Sequence, residues 1–501
     1  MGRTEKAKKN IITGLLSKLF MMLLAFATRT TFIRLLGAEY TGISSLYTNI
    51  LSMLSLAELG LGNVLMFYLY SALKEKDEDK INKLVFEFKK IYVIIIVVIL
   101  IVGTALIPFL DKIVNSSLKH SELITYYVLY LLNSAASYVV VYRTTVLSAD
   151  QKKYISNIVS TLTLVAMYVL QILYLLIFKQ FIGYLIIQIV CAVANNIILN
   201  TIAIKEYPYL RKPKHITGRV IENRDLLKNI KATFLYRVSD TILDQTDSVL
   251  ISMLIGTVYV GYYSNYYMLV TYMVSIAGIL ASGLVASFGN LVAEGDNERS
   301  YEMFKVSMLV FSVFGTVTTC CYFCIVQDFV PLWIGQEYVM NFDLVIAVMA
   351  VYYLRMSTNT LWIYRSAMGI FKEVQYANLF AALINVILSI ILGKIIGLAG
   401  IIIATAISRL LTSFWYEGKV VFQKLNKPVS EYYLRQLKDF LVCSFCVLVS
   451  LFIINRLKMS GIIAIVCKLM IAVAVSGLIE FIVNYRTNEF KRIVKAVFHR
   501  S

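Results

Sequence analysis

The chain has 501 residues, is 59% hydrophobic and only 16% charged, and has a mean hydropathy of +0.74, which excludes both a soluble globular protein and a disordered one. Its net charge is +18. The basic residues fall in short segments between apolar runs, a pattern that marks membrane topology and attraction to anionic lipid rather than nucleic-acid binding.

Apolar stretches of about 20 residues, enough to cross a hydrocarbon core of roughly 30 Å, follow one another along the chain. In order, the expected spans are 11–36, 41–72, 91–114, 122–148, 157–178, 181–204, 232–256, 258–292, 303–326, 341–369, 375–393, 397–422, 438–456 and 460–484. The fold class is therefore all-α and polytopic, with about 14 transmembrane helices. The tightest hairpins fall at Lys179-Gln180 and at Lys394. The first span follows a basic tail, but its length and its lack of a small-residue cleavage site argue against a removable signal peptide.

Orientation follows from the basic residues. With the N-terminus inside, Arg3, Lys6, Lys8 and Lys9, the segments 74–90, 205–231 and 423–437 and the tail 485–501 are cytoplasmic. These segments hold roughly 30 Lys and Arg, against about six in the outer loops. Both termini are then cytoplasmic. The outer loops are short, and no Gly-rich phosphate loop occurs inside. Soluble-domain catalysis and ATP hydrolysis are not encoded, and the chain is not read as an enzyme.

The sequence also reads twice. Leu35-Leu36-Gly37-x-x-Tyr40-x-Gly42 returns as Leu254-Ile255-Gly256-x-x-Tyr259-x-Gly261, and Glu75-x-Asp77-Glu78-Asp79-Lys80 as Glu294-x-Asp296-Asn297-Glu298-Arg299. Pro108-Phe109-Leu110 returns as Pro331-Leu332-Trp333, and Tyr142-Arg143-Thr144 as Tyr364-Arg365-Ser366, all at offsets of 219 to 223 residues. Six helices separate equivalent positions, an even number, so the copies run in the same direction as parallel repeats. The expected organisation is an N-terminal lobe 1–204, a cytoplasmic linker 205–231, a C-terminal lobe 232–422, and an appended helix pair with a basic tail at 423–501. Repeats of this kind characterise transporters that bind substrate between the halves.

Ionisable groups inside spans are expensive unless they face protein or water, so they mark candidate sites. Arg29, Arg143, Arg237, Arg355, Arg365 and Arg409 are the candidate cavity residues, and Glu58, Asp240, Asp244 and Asp247 the candidate coupling or gating acids. Arg237, Asp240, Asp244 and Asp247 are spaced 3, 4 and 3, which puts them on one helix face. That face either lines a wet cavity, with one carboxylate taking a proton or cation, or forms an ion-pair seam. Arginines from several helices suit a pyrophosphate, because the planar fork holds phosphate oxygens bidentately. Tyr259, Tyr262, Tyr263, Tyr266, Tyr267 and Tyr272 crowd the eighth span, where they pack the core or offer ring faces to sugars. Cys321-x-x-Cys324 and Cys443-x-x-Cys446 lie in apolar spans, with only His120, His215 and His499 as histidines. They read as packing, and no metal or cofactor is expected beyond coupling to H+ or Na+.

Arg34-Leu-Leu-Gly-Ala-Glu-Tyr-x-Gly42, followed by Ser55-Leu-Ala-Glu-Leu-Gly-Leu-Gly62, resembles the opening of Wzx-type polysaccharide repeat-unit flippases, and Gly397-Leu-Ala-Gly400-Ile-Ile-Ile-Ala-Thr405-Ala-Ile-Ser408 resembles their twelfth helix. That family shares the MOP superfamily with MurJ-type lipid II flippases and MATE exporters. The resemblance implies two six-helix lobes in a V, a central cationic cavity and alternating access in a bacterial cell membrane. It implies transport of an undecaprenyl-pyrophosphate-linked oligosaccharide to the outer leaflet for capsule or exopolysaccharide assembly. Membrane lipids, a polysaccharide polymerase and glycosyltransferases are the implied partners. A lipid II flippase and a MATE-like cation-coupled exporter are the alternatives, the latter calling for a more acidic cavity.

Overall fold

A computed structural model describes residues 3–55, 61–211, 224–457 and 461–498. Among these residues the secondary structure is helical, with no strand. The chain divides into two compact units, Met1–Thr241 with Gly256–Gly261, and Ile242–Ile255 with Tyr262–Ser501. The first contains α1 (Arg3–Leu54), α2 (Leu61–Glu75), α3 (Glu78–Ala105), α4 (Leu110–Ile113), α5 (His120–Ala136), α6 (Val141–Ala149), α7 (Lys153–Phe178) and α8 (Phe181–Glu206). Helices α9 (Arg224–Leu254) and α10 (Thr257–Glu294) contribute to both. The second continues with α11 (Asn297–Trp333), α12 (Phe342–Ser357), α13 (Asn359–Met368), α14 (Gln375–Ile396), α15 (Leu398–Leu411), α16 (Ser413–Lys424), α17 (Val429–Ile454), α18 (Gly461–Asn484) and α19 (Asn488–Phe498).

Among the described residues, eleven helices are long and apolar enough to cross a membrane, or twelve if α12 and α13, bent by 41°, form one broken span. The two remaining expected spans are also helices. One is split between the end of α1 and α2, and the other, α9, carries the charged face that lowers its hydropathy. Large apolar side chains such as Val93, Ile94 and Ile101 of α3 and Ile462 and Ile463 of α18 are exposed. On a membrane helix these are lipid-facing positions, since a helix satisfies its own backbone and needs only apolar side chains outward.

The repeat has the same local structure in both copies. Gly37 and Gly256 hold φ of +88° and +144°, conformations open to glycine; Gly37 breaks the helical path inside α1, and Gly256 joins α9 to α10. In both acidic turns the aspartate caps the following helix: Asp77 accepts from the Lys80 backbone N–H and Asp296 from that of Arg299. The residue before each aspartate, Lys76 or Gly295, has positive φ and closes the preceding helix, as a Schellman-type ending requires. The fourth and tenth spans are both interrupted, between α5 and α6 and between α12 and α13.

Some expectations need correction. The hairpin after the eleventh span turns at Gly397, φ +79°, and Lys394 lies within α14; only glycine enters that conformation without strain. Lys179 does form a hairpin, as the left-handed cap of α7. Within the segment 423–437, α17 starts at Val429, directly after Pro428 in extended conformation. The tail contains α19, whose polar residues Lys491, Arg492 and Lys495 and apolar residues Phe490, Ile493 and Val494 occupy opposite faces.

In the second unit α11 is the central helix, lying against α12, α17 and α18. Cys320, Cys324 and Cys446 pack in one apolar cluster with Ile454 and Ala472.

Candidate functional site

Asp244 and Asp247 lie on the part of α9 that belongs to the second unit. Arg355 sits in the last turn of α12 and Arg409 in the last turn of α15, where the helix dipole favours a cation. Both guanidiniums reach Asp244. Arg409 Nη2 donates to Oδ1 at 3.0 Å, and Arg355 Nη1 donates to Oδ2 at 3.4 Å. The side chains are 20% (Arg409), 40% (Arg355) and 21% (Asp244) exposed, so the cluster is open to solvent or ligand. It carries two positive charges against one negative. Two guanidinium forks on one carboxylate also match the oxygen geometry of a dianionic phosphate or pyrophosphate.

Asp247, three residues on, points elsewhere and is 5% exposed. Thr405 Oγ1 donates to its two oxygens at 3.3 and 3.1 Å. Asn385 Nδ2 donates to Thr405 Oγ1 at 2.9 Å, and Ser389 Oγ to the Ile401 carbonyl at 3.3 Å. The Asp247 carboxylate thus meets the Thr405 hydroxyl of α15, which is itself held by the Asn385 amide of α14. A carboxylate beside a hydroxyl offers oxygen only, which suits a proton or a hard cation rather than a soft metal. Among the described residues, no group of three or more His, Cys, Asp or Glu is placed to hold a metal ion.

The other candidates are placed differently. Arg365 is not a cavity residue: it is 1% exposed, and its Nη1 donates to Glu417 Oε2 at 2.6 Å. A fully buried, charge-matched pair holds α13 to α16 instead. Arg143 is half-buried, donating to Asn200 and to the Leu210 carbonyl, with its guanidinium 5.5 Å from the Tyr142 ring centre. It ties α6 to α8 and to the turn that follows. Arg29 is half-buried on α1, near Tyr130 and Tyr184. Arg237 is exposed and Asp240 half-buried, both in the first unit. Glu58 lies outside the described residues.

The eighth-span tyrosines mostly pack. Tyr263 and Tyr267 stack at 5.5 Å, and Tyr266 accepts at its hydroxyl from the Met340 N–H and at its carbonyl from the Tyr322 hydroxyl.

Sequence reasoning missed the neutral partners Thr405, Asn385 and Ser389, which carry no charge signal in an apolar span. It also passed over Glu417, Asp439 and Glu480, although each is an ionisable residue within an expected span, the signal used elsewhere.

Residues 7–285 match the family described as polysaccharide biosynthesis protein. No curated protein matches the chain. Among solved structures, the lipid II flippase MurJ in an inward closed conformation superposes with a TM-score of 0.70 at 14% identity, covering 95% of this chain and 99% of that one. An inward-facing multidrug resistance MATE family transporter of the MOP superfamily gives 0.60 at 14% identity, covering 81% and 95%. The Vibrio cholerae MATE transporter VcmN gives 0.58 at 13%, covering 86% and 99%. At these identities the likeness is one of fold: a multi-pass bundle of apolar helices.

Proposed function

Because the chain belongs to the polysaccharide biosynthesis protein family, we propose that it is a flippase that moves undecaprenyl-pyrophosphate-linked oligosaccharide from the inner to the outer leaflet of a bacterial cell membrane. The convergence of Arg355 and Arg409 on Asp244 carries this reading. A cationic drug exporter would gain nothing from two guanidiniums at its site, whereas a pyrophosphate headgroup needs them. Lipid II shares that headgroup, so the sugar distinguishes the two flippase readings, and this site contacts the phosphates rather than the sugar.

Transport proceeds by alternating access. The headgroup enters from the cytoplasm and displaces Asp244 from the two arginines. The exchange drives the change of state only through unequal affinity of the headgroup for the two states. Asp247 with Thr405 and Asn385 takes the coupling H+ or Na+ and resets the empty carrier.

Binding of a fluorescent undecaprenyl-pyrophosphate oligosaccharide to the purified protein in lipid nanodiscs tests the reading. Losing one charged hydrogen-bonding fork is worth about 1.5–3 kcal/mol, so Arg355→Ala and Arg409→Ala should each weaken binding by roughly 10- to 100-fold, with Lys rescuing poorly. Unchanged affinity in both variants overturns the assignment.

A further inference from the structure

The appended helix pair carries charges that the transport reading does not use. Asp439 of α17 and Glu480 of α18 are 6% and 4% exposed, and both lie within membrane-spanning helices. A charge buried there needs a partner. Asp439 has one: Arg435 Nε, one turn earlier, lies 3.1 and 3.2 Å from its two oxygens. Arg435 also reaches the Asn484 Oδ1 at 3.5 Å, and Asn484 Nδ2 donates to Glu480 Oε2 at 2.8 Å. The Arg435 guanidinium is spent on Asp439 and reaches Glu480 only by way of Asn484.

The second oxygen of Glu480, Oε1, is buried without a hydrogen-bond partner. Thr316 Oγ1 on α11 is fully buried and lies beside both the Glu480 carboxyl and the Cys443 thiol, and it closes no hydrogen bond of full geometry to either. Two unpartnered polar atoms side by side, in surroundings short of positive charge, are satisfied together by one proton. A proton on Oε1 removes the uncompensated charge and turns that oxygen into a donor toward Thr316. A metal ion fits less well, since one carboxyl, one hydroxyl and one amide fall short of the six or more oxygens of a hard-cation shell.

The titratable and charged groups near Glu480 are Asp439, Arg435, Lys438, Cys443 and Cys446 of α17 and Tyr353 of α12. Arg435 and Lys438 are the only cations in that set. Access is built in on one side. A cavity of about 180 Å³, lined by Lys305, Glu431, Arg435 and Glu489, lies where α19 meets α11 and α17. Beyond it a void of about 10 Å³ lies against Ser312, Gln436 and Asp439, room for a single water. Arg435 lines the first and Asp439 the second.

We propose that Glu480 is a proton-binding site of the appended helix pair, separate from the Asp244–Asp247 region and loaded from the membrane side that carries α19. The proton comes from water in the outer cavity and passes by way of Asp439 to Glu480 Oε1, with no other bond made or broken.

Infrared spectroscopy of the full-length protein in proteoliposomes reads this directly. At neutral pH the wild type should show a carboxylic-acid C=O band that Glu480→Gln removes, while that variant keeps its thermal stability, because the amide has the shape of the protonated acid. Asp439→Asn frees Arg435 to recruit Glu480 as its carboxylate, so the band should disappear there as well. In oriented vesicles, raising the pH on the α19 side alone should bleach the band. A wild type with no such band, a band that survives Glu480→Gln or Asp439→Asn, or bleaching only from the opposite side overturns the proposal. If Glu480→Gln fails to fold, the wild type and Asp439→Asn still decide.

Discussion

Gly42 and Gly261, equivalent positions of the internal repeat, exclude each other's side chains. A Cβ on Gly42 would lie 1.9 Å from the Thr257 carbonyl oxygen, and a Cβ on Gly261 would lie 2.2 Å from that of Ala38. Ala38 is to Gly42 what Thr257 is to Gly261, so each copy presents to the other the patch that it receives, as in an isologous interface.

Backbone carbonyls cannot step aside as a flexible side chain does. Gly42→Ala and Gly261→Ala should therefore each destabilise by about 1–3 kcal/mol or more, the cost of overpacking. Gly278→Ala, with open space around it, should not. Thermal unfolding of the purified protein compares the three, and equal midpoints for all would remove the close approach as a constraint.

The Arg365–Glu417 pair makes a different kind of prediction from the arginines on Asp244. Its members are 1% and 8% exposed, so removing one strands the other charge at a cost of about 3–5 kcal/mol. Arg365→Ala should lower the amount of folded protein, and export should fall in proportion to it. Arg365→Met with Glu417→Leu should restore the folded yield, since a buried pair can be replaced by apolar residues at little loss. Normal folded yield with abolished transport in Arg365→Ala would return this residue to the substrate path.

Asp244→Asn removes the carboxylate that Arg355 and Arg409 share and leaves two guanidiniums facing one neutral amide. Headgroup affinity should hold or tighten, because nothing competes for the forks, while turnover falls because the empty carrier lacks the pair that closes it. Weaker lipid-oligosaccharide binding together with an unchanged rate of conformational exchange would count against the reset role.

The topology yields to cysteine labelling with an impermeant reagent. In a background lacking reactive native thiols, cysteines introduced at 37–40 should label in intact cells, and one at 77 only after permeabilisation, given the basic residues of segment 74–90. Labelling of residue 77 in intact cells reverses the orientation.

Local chemistry made much of the fold legible. The spans follow from apolar run length, because the bilayer fixes how many residues a crossing needs. The capped turns at Asp77 and Asp296 follow from residue types, since the aspartate bonds to a backbone N–H only three residues away. Gly37 and Gly256 could be matched as repeat positions, and their positive φ is a local property of glycine. The charged face of α9 was readable from spacing alone.

What that face does was not readable. Asp244 and Asp247 sit one turn apart with the same chemistry, yet one meets two arginines from α12 and α15 and the other meets the Thr405 hydroxyl. Arg355 and Arg365 lie ten residues apart, one at an open cluster and the other sealed against Glu417. Sequence by itself determined that the chain is a succession of apolar helices, where the two acidic turns fall and which residues are too costly to face lipid. Only tertiary structure decided which charges meet, because an ionisable group in a span constrains the energy of its surroundings but not the identity of its partner, which is supplied by helices 52 to 165 residues away.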